Sequence, residues 1–266
     1  MRASTRRCAF SRVCSGARGS RCGARNGSAI APGMMSFPPS FGPDMLTVHH
    51  LNNSRSQRVL WLLEELDVPY EIVRYERDPK TMLAPPALRA IHPLGKSPVV
   101  TDDGRTFAES GAIVEYLVER YGNGRLAPRP GTPERHDYTY WLHYAEGSAM
   151  PPLLLKLVAL RIAHAPMPFF ARPIARKIAA TLQSGFVDPQ IALHLRHIDD
   201  ALARTGWFVG DDFSAADIQM SFPLEAATAR GDGGRHPAIA RFLAAIHARP
   251  AYRRALERGG PYELLK

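Results

Sequence analysis

Residues 45–75, MLTVHHLNNSRSQRVLWLLEELDVPYEIVRY, change hydrophobic period twice within one short run. Met45–Leu51 alternates around Leu46 and Val48 and predicts a strand. Arg58–Leu66, RVLWLLEEL, carries apolar residues at helical spacing and ends before Pro69. Tyr70–Tyr75, YEIVRY, predicts a second strand. Two strands joined by one helix predict a right-handed parallel βαβ unit.

Downstream, a Pro-rich segment and a helical turn at Ala87–Ile91 lead to two short strands, Pro98–Asp102 and Arg105–Ala108. Asp103-Gly104 between them is a hairpin signal. Glu109-Ser110 then opens a helix over Gly111–Tyr121. The order β-α-β-α-β-β-α over residues 45–122 is that of a thioredoxin-like α/β domain. Residues 123–132 are a linker by composition. In residues 133–266 no strand run is convincing. Helices are expected at Tyr138–Ala145, Leu153–Ala163, Ile191–Arg204, Ala215–Ala229 and Ala238–Ala248, with Ser214 and Asp217 as a capping pair for the fourth. The expected architecture is therefore an α/β thioredoxin-like N-terminal domain followed by an all-α C-terminal domain, without internal repeats.

The chain has 266 residues, 45% of them hydrophobic and 22% charged, which fits a globular protein. The longest apolar run, Leu153–Leu160, is cut by Lys156 and is too short to span a bilayer, so no membrane partner is expected. Residues 1–44 hold seven arginines against one acid, Asp44, and so carry +6 of the net charge of +9. The remaining +3 is too mild to suggest a nucleic-acid partner. All three cysteines, Cys8, Cys14 and Cys22, lie in the same segment. From Met45 onward there is no cysteine nucleophile, no disulfide and no Cys-ligated metal, so any thiol chemistry must use a thiol from another molecule.

The Arg-, Ser- and Gly-rich residues 1–44 show no hydrophobic periodicity and are expected to be disordered. Three readings stay open: an organelle transit peptide, sequence translated upstream of a true start at Met34, Met35 or Met45, or a basic arm. The segment lacks the apolar core of a secretory signal. A cytoplasmic location is expected, with mitochondrial targeting only if the extension is genuine.

Four pieces in register carry a family resemblance: NNSRSQRVLWLLEEL (52–66), HPLGKSPVV (92–100), ESGAIVEYL (109–117) and WFVGDDFSAADI (207–218). From Met45 to the C-terminus the chain resembles a glutathione S-transferase. Counting back from Arg58, Ser54 matches the serine of theta-like members of bacterial or fungal kind, and no tyrosine falls in this loop. The resemblance implies an enzyme that takes glutathione as co-substrate and activates its thiol as thiolate. The thiolate attacks a small hydrophobic electrophile, in detoxification, and can also reduce peroxide. A homodimer is implied too. A transferase-like binding or assembly module without turnover is the rival reading.

The implied site residues also make chemical sense. Pro98 is expected to be cis and to expose the backbone before it to the cysteinyl part of glutathione. From the residues alone an ordinary trans turn would be favoured. Ser110, at a helix N-terminus, suits the γ-glutamyl carboxylate, or simply caps the helix. Glu109 can pair with the ammonium group, while Lys96 and Ser97 belong to the same glutathione-binding set. Ser54 can donate to the sulfur, helped by Arg55 and the helix dipole. Against this, Ser54 and Gln57 match a capping box, and Asn53 and Ser56 remain alternatives.

Ala90–Ser97, AIHPLGKS, satisfies a relaxed phosphate-loop pattern, but a strand follows it where a helix is needed, so no nucleotide site is expected. His194 and His197 lie at i, i+3 with Asp200 beyond, without a metal motif, and no metal is expected. Tyr140, His143 and Tyr144, in an aromatic-rich helix, are candidates for the second-substrate pocket or for core and subunit interface.

Overall fold

β1 (Thr47–Leu51), α1 (Ser56–Leu66) and β2 (Glu71–Tyr75) form the predicted βαβ unit, with β1 and β2 parallel and Val48 opposite Ile72. The structure is a computed structural model that describes residues 45–229, 235–260 and 262; the expected disorder of residues 1–44 lies outside them. α2 (Pro86–Ile91) leads to β3 (Val99–Asp102) and β4 (Arg105–Ala108). The hairpin between them turns at Asp103 and Gly104, whose φ values of 49° and 70° suit a primed turn. The mixed sheet has the order β2-β1-β3-β4, and α3 (Ser110–Tyr121) completes the thioredoxin-like domain.

The middle of α1, Val59–Leu63, is apolar over more than a full turn, which requires burial on every side there. Val59, Leu60, Trp61, Leu62 and Leu63 are at most 1% exposed. The helix packs against β1 and α3 of its own domain and against two helices of the helical one, α8 (Ala215–Thr228) and α10 (Pro250–Gly259). One hydrophobic core therefore runs from Val48 and Val100 in the sheet through Trp61 to Ile218 and Phe242.

The helical domain holds α4 (Pro133–Tyr144), α5 (Met150–His164), α6 (Arg172–Leu182), α7 (Asp188–Thr205), α8 (Ala215–Thr228), α9 (Pro237–Ala248) and α10 (Pro250–Gly259). Two of these, α6 and α10, have no counterpart in the sequence reading. α4 and α5 are not separated by a loop either. A π-helical turn, Ala145–Ala149, joins them, with the Met150 amide donating to the Ala145 carbonyl. Pro151 and Pro152 have no N–H to continue the regular ladder, and the wider turn accommodates the missing donors. A second π turn, Gln183–Val187, joins α6 to α7 just before Pro189. At the start of α8 the predicted capping box is formed: Asp217 accepts from the Ser214 amide at 2.8 Å and from the Phe208 amide at 2.9 Å.

Candidate active site

Sheet register brings three loops to one end of the thioredoxin-like domain. His49 of β1 lies opposite Val99 of β3, and Val99 lies opposite Ala108 of β4. The β1–α1 loop with Ser54, the Ser97-Pro98 step before β3, and the Glu109-Ser110 junction after β4 therefore emerge side by side. The Ser97-Pro98 peptide bond is cis, as the resemblance implied.

Ser54 is buried, and its Oγ is 3.2 Å from Ser97 Oγ and 2.7 Å from Ser56 Oγ. The Ser56 amide also donates to Ser54 Oγ. Ser56 Oγ in turn lies 2.8 Å from Nδ1 of His50. The His50 pKa is pushed down to about 4 by burial and by the Arg74 charge, against a Gly259 backbone hydrogen bond that raises it. At neutral pH the ring is therefore uncharged. The capping box of Ser54 with Gln57 is not formed: α1 starts at Ser56 without a side-chain cap, and the Gln57 amide nitrogen has no partner.

Ser110 is the first residue of α3, and its hydroxyl does not cap the helix. It accepts instead from Arg58 Nη2 at 3.0 Å. Glu109, the residue before, is exposed and holds φ at 71°, a conformation rarely adopted by a residue with a side chain. Lys96 is exposed on the loop between α2 and β3, beside the half-buried Ser97.

The sequence reading missed the charge network behind these groups. Arg58 is 2% exposed, donates from Nη1 to the Gln219 carbonyl at 2.6 Å, and pairs through Nη2 with Glu146. Glu146 sits in the π turn after α4 and also holds Arg55 at 2.9 Å. Burial alone would raise the Glu146 carboxyl, but the Arg58 and Arg55 charges outweigh it and hold it below the usual value. Phe222 of α8 packs against both guanidinium groups, 5.3 Å from each. The signal available in the sequence was Arg58 directly before the five-residue apolar run Val59–Leu63, where a buried guanidinium must find a counter-charge.

Tyr140 and Tyr144 of α4 reach across to α7. Tyr140 Oη is 3.1 Å from His197 Nε2, and Tyr144 Oη is 2.5 Å from His194 Nδ1. His194 also lines a small apolar pocket with Ala149, Leu153, Ile191 and Pro223. His143 is exposed. Among the described residues no three metal-ligating side chains converge.

The glutathione S-transferase N-terminal domain family matches residues 54–120, a span that contains Ser54, Ser97-Pro98 and Glu109-Ser110. Glutathione S-transferase 3 of Schizosaccharomyces pombe is 41% identical over 216 residues, covering 80% of this chain and 88% of that protein. The chain belongs to the glutathione S-transferase family. Glutathione S-transferase 1 of Saccharomyces cerevisiae is similar as well, 32% identical over 80% of this chain and 95% of that protein. Among solved structures, a glutathione S-transferase from Actinobacillus pleuropneumoniae aligns with a TM-score of 0.67 at 31% identity, over 83% of this chain and 99% of the other. The glutathione S-transferase fold thus covers both the sheet domain and the helical domain of this chain.

Proposed function

We propose that the chain is a serine-type glutathione transferase that presents glutathione as its thiolate to a small hydrophobic electrophile. The observation that carries this reading is the Ser54 hydroxyl 3.2 Å from that of Ser97, the residue before the cis proline, at the sheet end where the Glu109-Ser110 junction also emerges. In this reading the peptide lies across the three loops. The Ser110 hydroxyl and the free amides of α3 hold the γ-glutamyl carboxylate. Glu109 faces the ammonium group, Lys96 the glycyl carboxylate, and the backbone beside Ser97 and Pro98 the cysteinyl part.

Ser54 then donates its O–H to the sulfur. A hydrogen bond to a charged acceptor is stronger than one to a neutral thiol, so the bond favours ionisation. The Arg55 charge works in the same direction. The thiolate attacks the electrophile, a carbon–sulfur bond forms, and the leaving group departs with its electron pair. Catalysis comes from positioning and from stabilising the anion, without a covalent enzyme intermediate. Tyr140, His143 and Tyr144 stand on the electrophile's side, where Tyr144 adjoins the apolar pocket through His194. Reduction of organic hydroperoxides by the same thiolate, and assembly as a homodimer, belong to this reading as well.

Calorimetric titration of the protein with glutathione, followed by thiolate ultraviolet absorbance against pH, tests it. Saturable binding with a bound-thiol pKa well below that of free glutathione is expected, together with conjugation of a standard electrophile. Binding without the shift and without turnover would leave a binding or assembly module. Absence of binding would overturn the glutathione reading altogether.

A further inference from the structure

From Gly147 to Val187 the chain contains no aspartate or glutamate, while Arg161, Arg172, Arg176 and Lys177 fall within that span; Lys156, also in it, pairs with Asp188 just beyond its end at 3.4 Å. α6 occupies its distal part and is turned inside out. Its small residue Ala179 faces the fold and is buried, whereas Ile174 and Ile178 are 62% and 59% exposed. The loop that leads into it ends in Phe169 and Phe170, 81% and 66% exposed. Arg172, Arg176 and Lys177 are exposed on the same helix. Large apolar side chains facing water beside cations, without a single acid, are not what a solvated helix needs.

We infer that the Phe169–Ile178 surface docks on an anionic phospholipid membrane. Phe169, Phe170, Ile174 and Ile178 enter the boundary between headgroups and acyl chains, and Arg172, Arg176 and Lys177 meet the lipid phosphates. This combination of a bulky apolar flank with lysine and arginine is how a helix lies in the interface plane. The long cationic stems reach the headgroup level while their alkyl parts stay on apolar surface. No helix among the described residues is long and apolar enough to cross a membrane. The expectation of no membrane partner rests on that spanning length, which does not bear on a helix lying flat. A second copy of the chain is the weaker occupant, because a two-fold contact centred on α6 would set Arg172, Arg176 and Lys177 against their own copies and oppose like charges.

Flotation of the full chain with vesicles of phosphatidylcholine, with and without phosphatidylglycerol, tests the inference. The wild type should float with the anionic vesicles, far less with the neutral ones, and less again as salt is raised. The double variant Phe169→Ser/Phe170→Ser should partition at least about tenfold more weakly while keeping its circular dichroism and conjugation rate. Both side chains are exposed, so the fold does not depend on them. The arginines of residues 1–44 are common to both proteins, so the difference between them reports the patch alone. Equal partitioning of the two proteins would overturn the inference. So would loss of self-association in the variant, by sedimentation, with no change in vesicle binding.

Discussion

The hydroxyl oxygens of Ser54 and Ser97 lie 3.2 Å apart, one on the loop after β1 and the other on the residue before the cis proline. In the proposed reading the glutathione sulfur sits beside this pair, so Ser54→Ala removes the donor to the thiolate. A hydrogen bond to a charged group contributes about 1.5–3 kcal/mol. The bound thiol's pKa should therefore rise by about one to two units, and turnover at neutral pH should fall about 10- to 100-fold. Binding of the neutral thiol should change much less. The gap between variant and wild type should close at alkaline pH, where both thiols are ionised. A stopped-flow pH profile reads both effects, and unchanged kinetics would move the role to Asn53, Ser56 or a backbone group.

Ser110→Ala should act on a different constant. The hydroxyl is assigned to the γ-glutamyl carboxylate, far from the bond being made, so its loss removes binding that is equal in ground and transition states. KM for glutathione should rise about tenfold with kcat nearly unchanged. The same hydroxyl accepts from the buried Arg58, so urea unfolding should also show a loss of about 1–2 kcal/mol. A fall in kcat at saturating glutathione, with KM unchanged, would contradict the assignment.

Much of this architecture can be read locally, because the period of the apolar residues changes where the elements change. RVLWLLEEL announces α1, and Asp103-Gly104 announces the β3–β4 hairpin, without help from distant residues. α10 was not legible for the opposite reason. PAYRRALERG is strongly polar, and it is held on α1 by tertiary contacts: Arg254 and Arg258 reach Glu64, and Tyr252 packs edge-on to Trp61 at 5.0 Å. α6 does carry an apolar stripe, Ile174, Ile178 and Leu182 at i, i+4 and i+8, but the sequence does not say that this stripe faces outward. The site loops carry motifs and could be placed in advance. The partnership of Arg58 with Glu146 spans 88 positions, and nothing local in either segment names the other.

That pair makes stability depend on pH in a defined way. Arg58 and Arg55 hold the Glu146 carboxyl below its usual 4.5, so the pair's contribution is fully present above that pH. It is lost as pH falls through the lower folded-state value. Glu146→Gln leaves Arg58 buried without its counter-charge. The loss at pH 7 should be about 2–4 kcal/mol, at the lower side for a buried pair because Glu146 is partly exposed. The difference between wild type and variant should shrink progressively below pH 4.5. Urea unfolding at several pH values measures it, and a difference that stays constant down to acid pH would show that the carboxylate's charge is not what matters.

The docking of α10 on α1 depends on a glycine. A Cβ at Gly259 would lie 2.6 Å from Gln57 Oε1 and 2.9 Å from Leu60 Cδ1, both shorter than side-chain contacts allow. Leu60 is fully buried and Gln57 nearly so, which leaves neither much room to move. Gly259→Ala should therefore destabilise by about 1–3 kcal/mol through overpacking, despite alanine's better helix propensity. Gln57→Ala in the same background should restore part of the loss by vacating the nearest atom, so the two substitutions should be non-additive. Because α1 also carries the Ser54 loop at its N-terminal end, the single variant should lose conjugation activity at temperatures below its global unfolding midpoint. Thermal unfolding followed in parallel with activity decides this: coincident loss of the two would confine the glycine's role to stability.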